Sequence, residues 1–444
     1  MTAAVDPVRL AAVDVLLRVF EHGAFLSDAL DQTLQKSGLS ERGRRFLTQL
    51  VYGTVRHRAL CDVAISRILD QPMDKLPRPI LAVLRMGVFQ ALFCDQVTFP
   101  SMVHTSVSLA RKRGHAGTAR LANAVLRRAP RTIDEIKLPP REKGLSRHLG
   151  FRYSMPKWLV EQWIEEYGAE PAEKLCAACN EQAPTTIRVN TTKCTVKQLT
   201  KYLTHAELLV EKVTRIPEEL TVLKGSALKS KHFLQGQYML QDPGSMLAAH
   251  LMQPVAGEWV LDVCSAPGGK TTHLAQLADS QLNIVAADGH PERLAMVREN
   301  VERLGLSGIR MVAADGRIAP YARRFDGVLL DAPCTGYGTF RRHPDLKWRA
   351  QPEDAARMAP VQRDLLRSAV DLCENGGRIV YSVCTFTRDE TLDVRAFAES
   401  SLPVVLEDGP EWLNPWKIST GTYRTLPHAD NMDGFFLMRL RKAS

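Results

Sequence analysis

Hydrophobic residues in the first third of the chain recur at every third or fourth position, which is the repeat of an α-helix. The recurring residues include Leu10, Val13, Leu16, Leu17 and Phe20, then Phe46, Leu50 and Val51, and later Leu81, Leu84, Val88 and Ala91. The repeat runs from Pro7 to Ala129 and predicts an all-helical domain over residues 1–140. It stops in residues 132–146, where Pro139 and Pro140 stand among mixed charges, and this segment is predicted to be a linker.

Residues 147–240 combine helical and strand patterns in short stretches. Helical spacing returns at residues 157–167 and 171–179, a short apolar run at 186–190 predicts a strand, and 195–203 predicts another helix. We therefore predict a small α/β module after the helical domain.

Residues 241–444 repeat one pattern, in which a short apolar strand is followed by a helical segment. The strands read WVLDVC, NIVAAD, IRMVAAD, FDGVLLDAPC, GRIVYSVC and, at the end, FFLMRL. Strands that alternate with helices predict a doubly wound, Rossmann-like α/β sheet. Three domains agree with a length of 444 residues, which is too long for one ordinary hydrophobic core.

The composition is that of a soluble globular protein, with 45% hydrophobic and 24% charged residues. No apolar stretch is long enough to span a bilayer, and Asp6, Asp14 and Arg18 make the first apolar segment an amphipathic helix rather than a signal peptide. We expect a cytoplasmic protein with no membrane partner. Nine cysteines at irregular spacing predict free thiols, and Cys176 and Cys179 are expected to pack in a helix rather than bind zinc.

Positive charge is concentrated in the predicted helical domain. Residues 1–140 contribute +8 of the net charge of +9, with 20 Lys and Arg against 12 Asp and Glu. Two later helical segments carry Arg111, Lys112, Arg113, Arg120, Arg127 and Arg128. Local positive charge is typical of a nucleic-acid-binding face, although a solvated basic surface has the same composition.

The first strand of the α/β domain, residues 259–264, runs into a loop of small residues. The loop reads Ser265, Ala266, Pro267, Gly268, Gly269 and Lys270, and a helix is predicted from Thr271. In a doubly wound sheet the ligand binds where the strands end, and small residues let the backbone approach it closely. Three further strands end in carboxylates, which are Asp288, Asp315 and Asp331.

These carboxylates predict a pocket for an adenosine that has no phosphate chain. An Asp after the second strand is where nucleotide-binding folds hold ribose hydroxyls, and we expect an Asp after the third to accept a hydrogen bond from an adenine amino group. A P-loop is excluded because Cys264 stands where that motif requires glycine, and the dinucleotide fingerprint G-x-G-x-x-G is absent. S-adenosylmethionine fits the pattern best, and no metal is expected.

Two cysteines, Cys334 and Cys384, each follow a predicted strand. A thiolate that adds to C6 of a cytosine makes C5 able to take a methyl group, and a second group then helps to remove the C5 proton. Asp331, three residues before Cys334, is placed to contact the N3/N4 edge of the pyrimidine. The spacing does not decide which cysteine attacks, and simple packing is the alternative for either one.

Residues 336–349 mix basic and aromatic side chains. The basic residues are Arg341, Arg342, His343, Lys347 and Arg349. Such a mixture predicts either contact with RNA phosphates and bases or a basic surface loop.

These motifs closely resemble those of the RNA cytosine-C5 methyltransferases, and the whole chain is similar to the bacterial 16S rRNA methyltransferases of the B type. The similar stretches are QDPGS (241–245), VLDVCSAPGGKTTHL (260–274), DAPCTGYGTFRRHPDLKWR (331–349), YSVCT (381–385) and HADNMDGFF (428–436), with LVYGTVR (50–56) and LANAVLRR (121–128) in the helical domain. Two departures are His104 with its neighbours, where the family more often has an Asn-Glu pair, and Ser265, which replaces a common Ala.

The resemblance implies a NusB-like RNA-binding fold for residues 1–140, an RNA-recognition-motif-like fold for 147–240, and a mostly parallel, seven-stranded methyltransferase sheet for 241–444. It implies that Cys384 is the nucleophile and that Cys334 assists release. It also implies that S-adenosylmethionine is held by Cys264, Ser265, Ala266, Pro267, Gly268, Gly269, Lys270, Asp288, Asp315 and Asp331.

The implied reaction is S-adenosylmethionine-dependent methylation of cytosine C5 in 16S rRNA. Separately, we expect the protein to be a monomer. Two alternatives stay open at this point. One is the same chemistry on tRNA, and the other is a non-catalytic RNA-binding factor.

Overall fold

A computed structural model describes residues 5–213, 215–318 and 321–444. These residues form two compact units. The first unit contains the described residues up to Glu181 together with Phe340–Arg349, and the second contains Gln182–Thr339 and Ala350–Ser444. The boundaries 1–140, 147–240 and 241–444 stay predictions. Among the helices of the described ranges, none is both long and apolar enough to cross a membrane.

The helices are, in chain order, α1 (Pro7–Phe20), α2 (Leu26–Lys36), α3 (Glu41–Arg56), α4 (Arg58–Ser66), α5 (Arg78–Phe93), α6 (Phe99–Arg113), α7 (Ala116–Arg127), α8 (Leu145–Arg152), α9 (Lys157–Tyr167), α10 (Ala169–Ala178), α11 (Val196–His205), α12 (Lys231–Leu234), α13 (Pro243–Met252), α14 (Gly269–Leu277), α15 (Pro291–Leu304), α16 (Leu346–Arg349), α17 (Asp354–Leu372), α18 (Leu392–Ser401) and α19 (Pro427–Asp430). The strands are β1 (Thr185–Val189), β2 (Leu209–Glu211), β3 (Glu219–Lys224), β4 (Tyr238–Leu240), β5 (Trp259–Asp262), β6 (Asn283–Asp288), β7 (Ile309–Ala313), β8 (Phe325–Asp331), β9 (Cys373–Val383), β10 (Val404–Leu406), β11 (Lys417–Ser419), β12 (Thr422–Thr425) and β13 (Phe435–Lys442).

Helix α5 is the centre of the first unit. Its residues 80–90 are buried, and α1, α3, α4, α6 and α7 pack around it. Gly53 of α3 permits the close approach, since a Cβ there would lie 1.9 Å from Phe89 Cζ. The buried Arg85 of α5 forms a bidentate ion pair with Asp62, at 2.6 and 2.8 Å. The predicted all-helical N-terminal fold is confirmed.

The second unit begins with a small antiparallel sheet in the order β2-β3-β1-β4. Helix α11 starts with a capping box, in which Gln198 N donates to Thr195 Oγ1 (3.2 Å) and Thr195 N donates to Gln198 Oε1 (2.9 Å). Its Leu199 and Leu203 pack in one buried cluster with residues of β1. The four strands and α11 form the predicted small α/β module, which begins at β1 in the structure.

The large sheet has the order β11-β12-β13-β9-β8-β5-β6-β7, with β10 paired to β13. Pairing is parallel from β7 through β6, β5 and β8 to β9, and antiparallel beyond β9. In the described part of the chain the sheet therefore has nine strands. The predicted seven-stranded, mostly parallel sheet is present, and two three-residue strands, β10 and β11, extend it.

The strand order reverses between β5 and its neighbour β8. At such a reversal the connections leave in opposite directions, which opens a crevice beyond the carboxyl ends of the two strands. The site residues predicted from the sequence lie at this edge of the sheet.

A buried arginine joins the small sheet to α14, the helix that follows the predicted cofactor loop. Arg188 of β1 is fully buried and donates to Gly269 O (2.6 Å), Thr272 Oγ1 (2.9 Å) and Gln276 Oε1 (3.1 Å). Burial lowers the pKa of Arg188 to about 9. The hydrogen bonds fix the beginning of α14, and with it the end of the loop.

Candidate active site

The loop after β5 is held in one shape by hydrogen bonds from both sides. The bonds run from Ser265 N to Ala287 O (2.8 Å), from Gly268 N to Ser265 O (2.7 Å), from Arg293 Nη2 to Ala266 O (3.1 Å) and from Asn300 Nδ2 to Pro267 O (3.0 Å). Gly268 has a φ of 97°, and a Cβ there would lie 3.2 Å from Val297 Cα. A side chain at this position would be strained and crowded, so glycine is required.

Two of the predicted carboxylates border this loop. Asp288 is buried at the end of β6 and accepts hydrogen bonds from Ala266 N (3.2 Å) and His290 N (3.0 Å). Asp331 ends β8, is partly exposed, and accepts a hydrogen bond from Lys270 Nζ (2.8 Å). The first half of the loop, at Ala266, therefore lies at the end of β6, and its last residue, Lys270, contacts the end of β8.

The third carboxylate, Asp315, is less enclosed. It lies at the same edge of the sheet, since Ala314 N donates to Asp288 O (3.1 Å). Its own carboxylate pairs with the exposed Arg317, with Nη2 and Oδ2 2.6 Å apart. The hydrogen bonds from Arg317 lower the pKa of Asp315 to about 2. A role for Asp315 in holding adenine stays a prediction.

A fourth carboxylate, Asp262, was missed by the sequence reasoning. It is the last residue of β5 and is fully buried, and its Oδ2 accepts a hydrogen bond from Thr271 Oγ1 (2.6 Å). Within the described residues, its Oδ1 has no hydrogen-bond partner. Burial raises the pKa of Asp262 to about 7. Its position directly before the loop is the signal that could have identified it.

The two cysteines face each other. Strands β8 and β9 are parallel neighbours in which Asp331 pairs with Ser382, so the residues that follow the two strands lie side by side. The Sγ atoms of Cys334 and Cys384 are 3.4 Å apart. The hydrogen bond with Cys384 and burial raise the pKa of Cys334 well above its ordinary value. The two thiols are thus close together, and ionisation of Cys334 is opposed.

Lys270 links the loop to this pair. Its ammonium lies 5.1 Å from the centroid of the Phe435 ring and interacts electrostatically with Cys384. Burial lowers the pKa of Lys270, but the attraction and hydrogen bond of Asp331 outweigh it and raise the pKa above its ordinary value. Lys270 is therefore a permanent cation between the loop, Asp331 and Cys384.

The expectation of an exposed basic segment at residues 336–349 is wrong for two of its residues. Arg341 and Lys347 are buried within the first unit. Lys347 Nζ donates to Asn180 Oδ1 (2.6 Å), and burial lowers the pKa of Lys347 to about 7. Trp348 Nε1 donates to Val55 O (2.7 Å). Lys347 and Trp348 thus hold residues 340–349 within the first unit, and the buried Arg341 and Lys347 are not exposed to RNA.

The crevice fits a cofactor that carries positive charge next to an adenosine. Asp262, Asp288 and Asp331 supply carboxylates around the loop, and Asp262 Oδ1 and Ser265 Oγ are buried polar atoms that lack a hydrogen-bond partner among the residues described. Buried polar atoms are normally paired, so these two indicate where a ligand makes polar contacts. S-adenosylmethionine has the required ammonium, sulfonium and ribose groups.

Three family models match the chain. Residues 249–441 match the 16S rRNA methyltransferase RsmB/F family, residues 6–131 match the NusB family, and residues 155–229 match the ferredoxin-like domain of RsmF/B-like methyltransferases. The matches confirm the NusB-like, ferredoxin-like and methyltransferase folds.

Curated relatives match along most of the chain and carry rRNA methyltransferase names. The chain is 33% identical over 448 residues to a probable ribosomal RNA small subunit methyltransferase B of Bacillus subtilis (strain 168), with 98% of both chains covered. It is also 33% identical to the ribosomal RNA small subunit methyltransferase B of Pseudomonas syringae pv. tomato, with 87% of this chain and 85% of the relative covered.

Two solved structures match the fold of the chain. The crystal structure of PH0851 matches all of both chains with a TM-score of 0.80 and 28% identity. NSun6 from Pyrococcus horikoshii, solved with SFG, matches 65% of this chain and 98% of its own with a TM-score of 0.60 and 25% identity. The predicted cofactor is confirmed, and S-adenosylmethionine is the methyl donor. By these matches, the chain belongs to the RsmB/F family of 16S rRNA methyltransferases.

Proposed function

We propose that the protein methylates C5 of a cytosine in 16S rRNA and that the cytosine is held during the reaction by a covalent bond to Cys384. The observation that carries the proposal is the pair of thiols 3.4 Å apart, next to the Lys270–Asp331 ion pair and the cofactor loop. A methyltransferase that acted on an oxygen or an exocyclic nitrogen would need no thiol there.

In the first step the Cys384 thiolate adds to C6 of the cytosine, and the electron pair of the C5–C6 double bond becomes available at C5. Lys270 is a buried cation that interacts electrostatically with this sulfur. Asp331 accepts a hydrogen bond from the amino group of the pyrimidine and thereby orients the ring. S-adenosylmethionine supplies the methyl group that C5 takes.

In the second step the C5 proton is removed and the Cys384–C6 bond breaks, which restores the double bond and frees the thiolate. The Sγ of Cys334 lies 3.4 Å from that of Cys384. The raised pKa of Cys334 keeps it in the thiol form near neutral pH, so it first gives its own proton to water, and the resulting thiolate then takes the C5 proton on its sulfur. The donor would be held by Asp262, Asp288 and the loop residues Cys264 to Lys270, with Asp315 at the adenine.

Helices α6 and α7 supply a surface for the rRNA backbone. The chain has no Asp or Glu between Gln96 and Ile133, a stretch that contains both helices. The exposed Arg and Lys side chains on it are Arg111, Lys112, Arg120, Arg127, Arg128 and Arg131. A positive surface without compensating carboxylates attracts phosphates and gives salt-dependent binding.

Trapping the covalent intermediate tests the assignment of the cysteines. The Cys334→Ser variant, incubated with 16S rRNA and S-adenosylmethionine, should accumulate a protein–RNA adduct on a denaturing gel, because the release step is slow. Cys384→Ser should form no adduct and transfer no methyl group while it still binds the donor. Cys373→Ser is the matched control, since Cys373 is a buried cysteine of β9 away from the pair. An adduct in Cys384→Ser would reverse the two roles.

Salt dependence tests the RNA surface. The double variant Arg120→Gln/Arg127→Gln removes two charges from one stripe of α7, and the slope of log affinity against log salt should fall by about 1.5. The control Lys157→Gln/Lys174→Gln removes two exposed charges elsewhere in the first unit and should leave the slope unchanged. Equal slopes for both double variants would exclude α7 as an RNA contact.

A further inference from the structure

A buried glutamate lies behind the two cysteines. Glu390 is 0% exposed and sits in a short turn, Arg388–Glu390, that follows Cys384. Its Oε1 accepts hydrogen bonds from Thr335 N and Gln362 Nε2, both at 2.9 Å. Its Oε2 accepts from Thr335 Oγ1 (2.6 Å) and Thr387 Oγ1 (2.7 Å). Four donors on two oxygens match an ionised carboxylate, which only accepts hydrogen bonds.

These bonds connect the loops that carry the two thiols. Thr335 follows Cys334, and Thr387 lies shortly after Cys384. Thr335 Oγ1 also lies 3.0 Å from the hydroxyl of Thr385, the residue directly after Cys384. Because Thr335 donates its proton to Glu390, its oxygen accepts from Thr385. Each cysteine is therefore followed by a threonine that is held, directly or through one hydroxyl, by the same carboxylate.

The residue before Cys334 belongs to the same network. Gln362 Nε2 donates to Pro333 O (2.9 Å) as well as to Glu390. Tyr381 OH donates to Glu390 O (2.8 Å), which fixes the turn against β9. The backbone is thus held on both sides of Cys334, and the anchor is Glu390 in each case.

The charges around the pair are unequal. The cation of Lys270 acts on Cys384, whereas the anion of Glu390 acts on Cys334. The pKa of Cys334 is raised first by its hydrogen bond to Cys384 and by burial. The charges of Cys384 and Glu390 raise it further. The negative charge of Glu390 therefore opposes ionisation of Cys334, whereas the charge near Cys384 is the positive one of Lys270.

We propose that Glu390 is a positioning residue for methyl transfer, which joins the two cysteine loops and gives the two thiols different roles. It touches neither the base nor the donor and acts through Thr335, Thr387 and Gln362. The inference rests on the proposed function, because the roles that it separates are nucleophile and release group.

Thiol alkylation tests the inference without RNA. The wild type, Glu390→Gln and Glu390→Asp are treated with iodoacetamide from pH 6 to 10, and the modified peptides are quantified by mass spectrometry. Glu390→Gln removes the charge, and its amide nitrogen cannot accept, so Cys334 should be alkylated about tenfold faster at pH 8 than in the wild type. Glu390→Asp keeps the charge and should restore much of the wild-type pH profile. Cys373 is the internal control and should not change.

Kinetics supply the second readout. Glu390→Gln should lower kcat for methyl transfer about a hundredfold, the effect expected when reacting groups move by about 1 Å, with little change in the donor Kd. When combined with Cys334→Ser, Glu390→Gln should also slow formation of the covalent protein–RNA adduct. If Glu390→Gln does not fold, Thr387→Val decides the question, because it deletes one donor without changing side-chain shape and should give a smaller loss of kcat.

The outcomes separate the inference from the proposed function. A wild type that transfers no methyl group to RNA contradicts the proposed function, whereas the alkylation profile still reports on Glu390. A wild type that transfers methyl groups, together with a Glu390→Gln variant that folds and keeps both kcat and the Cys334 profile, overturns the inference. If Thr387→Val is the deciding variant, unchanged kcat overturns it equally.

Discussion

Replacing Asp262 by Asn should change the pH dependence of stability in a predictable direction. Asp262 is fully buried, only one of its oxygens has a hydrogen-bond partner among the described residues, and burial raises its pKa to about 7. In the unfolded chain the same carboxyl ionises near its ordinary pKa of 3.8. Between pH 3.8 and about pH 7 Asp262 keeps its proton in the folded protein but has lost it in the unfolded chain. The stability that this group contributes is therefore complete below pH 4 and is lost as the pH rises through 7.

The magnitude follows from the two pKa values. The pKa of Asp262 differs between the unfolded chain, at 3.8, and the folded protein, at about 7. This difference lowers the free energy of unfolding by about 4 kcal/mol between low pH and pH 8.5. At pH 5 only about 1.5 kcal/mol of it has been lost. Asn does not titrate, and the buried amide that it introduces adds an effect that does not depend on pH. The stability of Asp262→Asn relative to the wild type should therefore rise by about 3 kcal/mol between pH 5 and pH 8.5.

Thermal unfolding without the methyl donor measures this change. The difference in Tm between Asp262→Asn and the wild type should increase by at least about 5 °C over that range. Asp364→Asn removes an exposed carboxylate of α17 and serves as the control, with a difference that stays constant. A constant difference for Asp262→Asn would show that Asp262 titrates normally and would refute the burial argument. Weaker binding of S-adenosylmethionine by the same variant would add support for a role of Asp262 in the pocket.

Two further variants test buried cations. Lys347→Met should show the opposite pH dependence from Asp262→Asn: burial lowers the pKa of Lys347 to about 7, so the protonated side chain destabilises the fold increasingly as the pH falls from 10.5 to 7. Its Tm relative to the wild type should be higher at pH 6 than at pH 9.5, by the equivalent of about 3 kcal/mol, and an equal Tm difference at both values would contradict this. Arg188→Ala leaves Gly269 O and Gln276 Oε1 without their buried charged donor and should lower the free energy of unfolding in urea by about 3–5 kcal/mol. A loss below about 1 kcal/mol would show that Arg188 does not hold the cofactor loop.

The sequence predicted the elements whose signals are local. Helical periodicity identified the all-helical N-terminal region, and the residues that define it lie in α1, α3 and α5. The strand-end positions of Asp288, Asp331, Cys334 and Cys384 placed all four at one edge of the sheet. This succeeded because parallel strands end at the same edge, so the positions follow from the strand order. The two added strands, β10 and β11, are only three residues long and have no periodicity of their own to detect.

The failures involve contacts between residues far apart in the chain. Lys347 and Arg341 stand in a polar, basic stretch that predicts exposure, yet tertiary packing buries both. Nothing within a few residues of Lys347 announces Asn180 as its partner. Glu390 follows Cys384 in an ordinary polar turn, and its importance depends on Thr335 and Gln362, which only the fold brings near.

The rRNA substrate and the covalent mechanism are tested most directly by transfer of a labelled methyl group from S-adenosylmethionine to deproteinised 16S rRNA and, separately, to bulk tRNA, followed by nucleoside analysis. Wild type, Cys384→Ser and Cys373→Ser are compared in parallel. We expect label in 5-methylcytidine, in 16S rRNA only, for the wild type and Cys373→Ser, and no label for Cys384→Ser. Label in tRNA alone would contradict the substrate, and label in another nucleoside, or undiminished transfer by Cys384→Ser, would contradict the covalent mechanism.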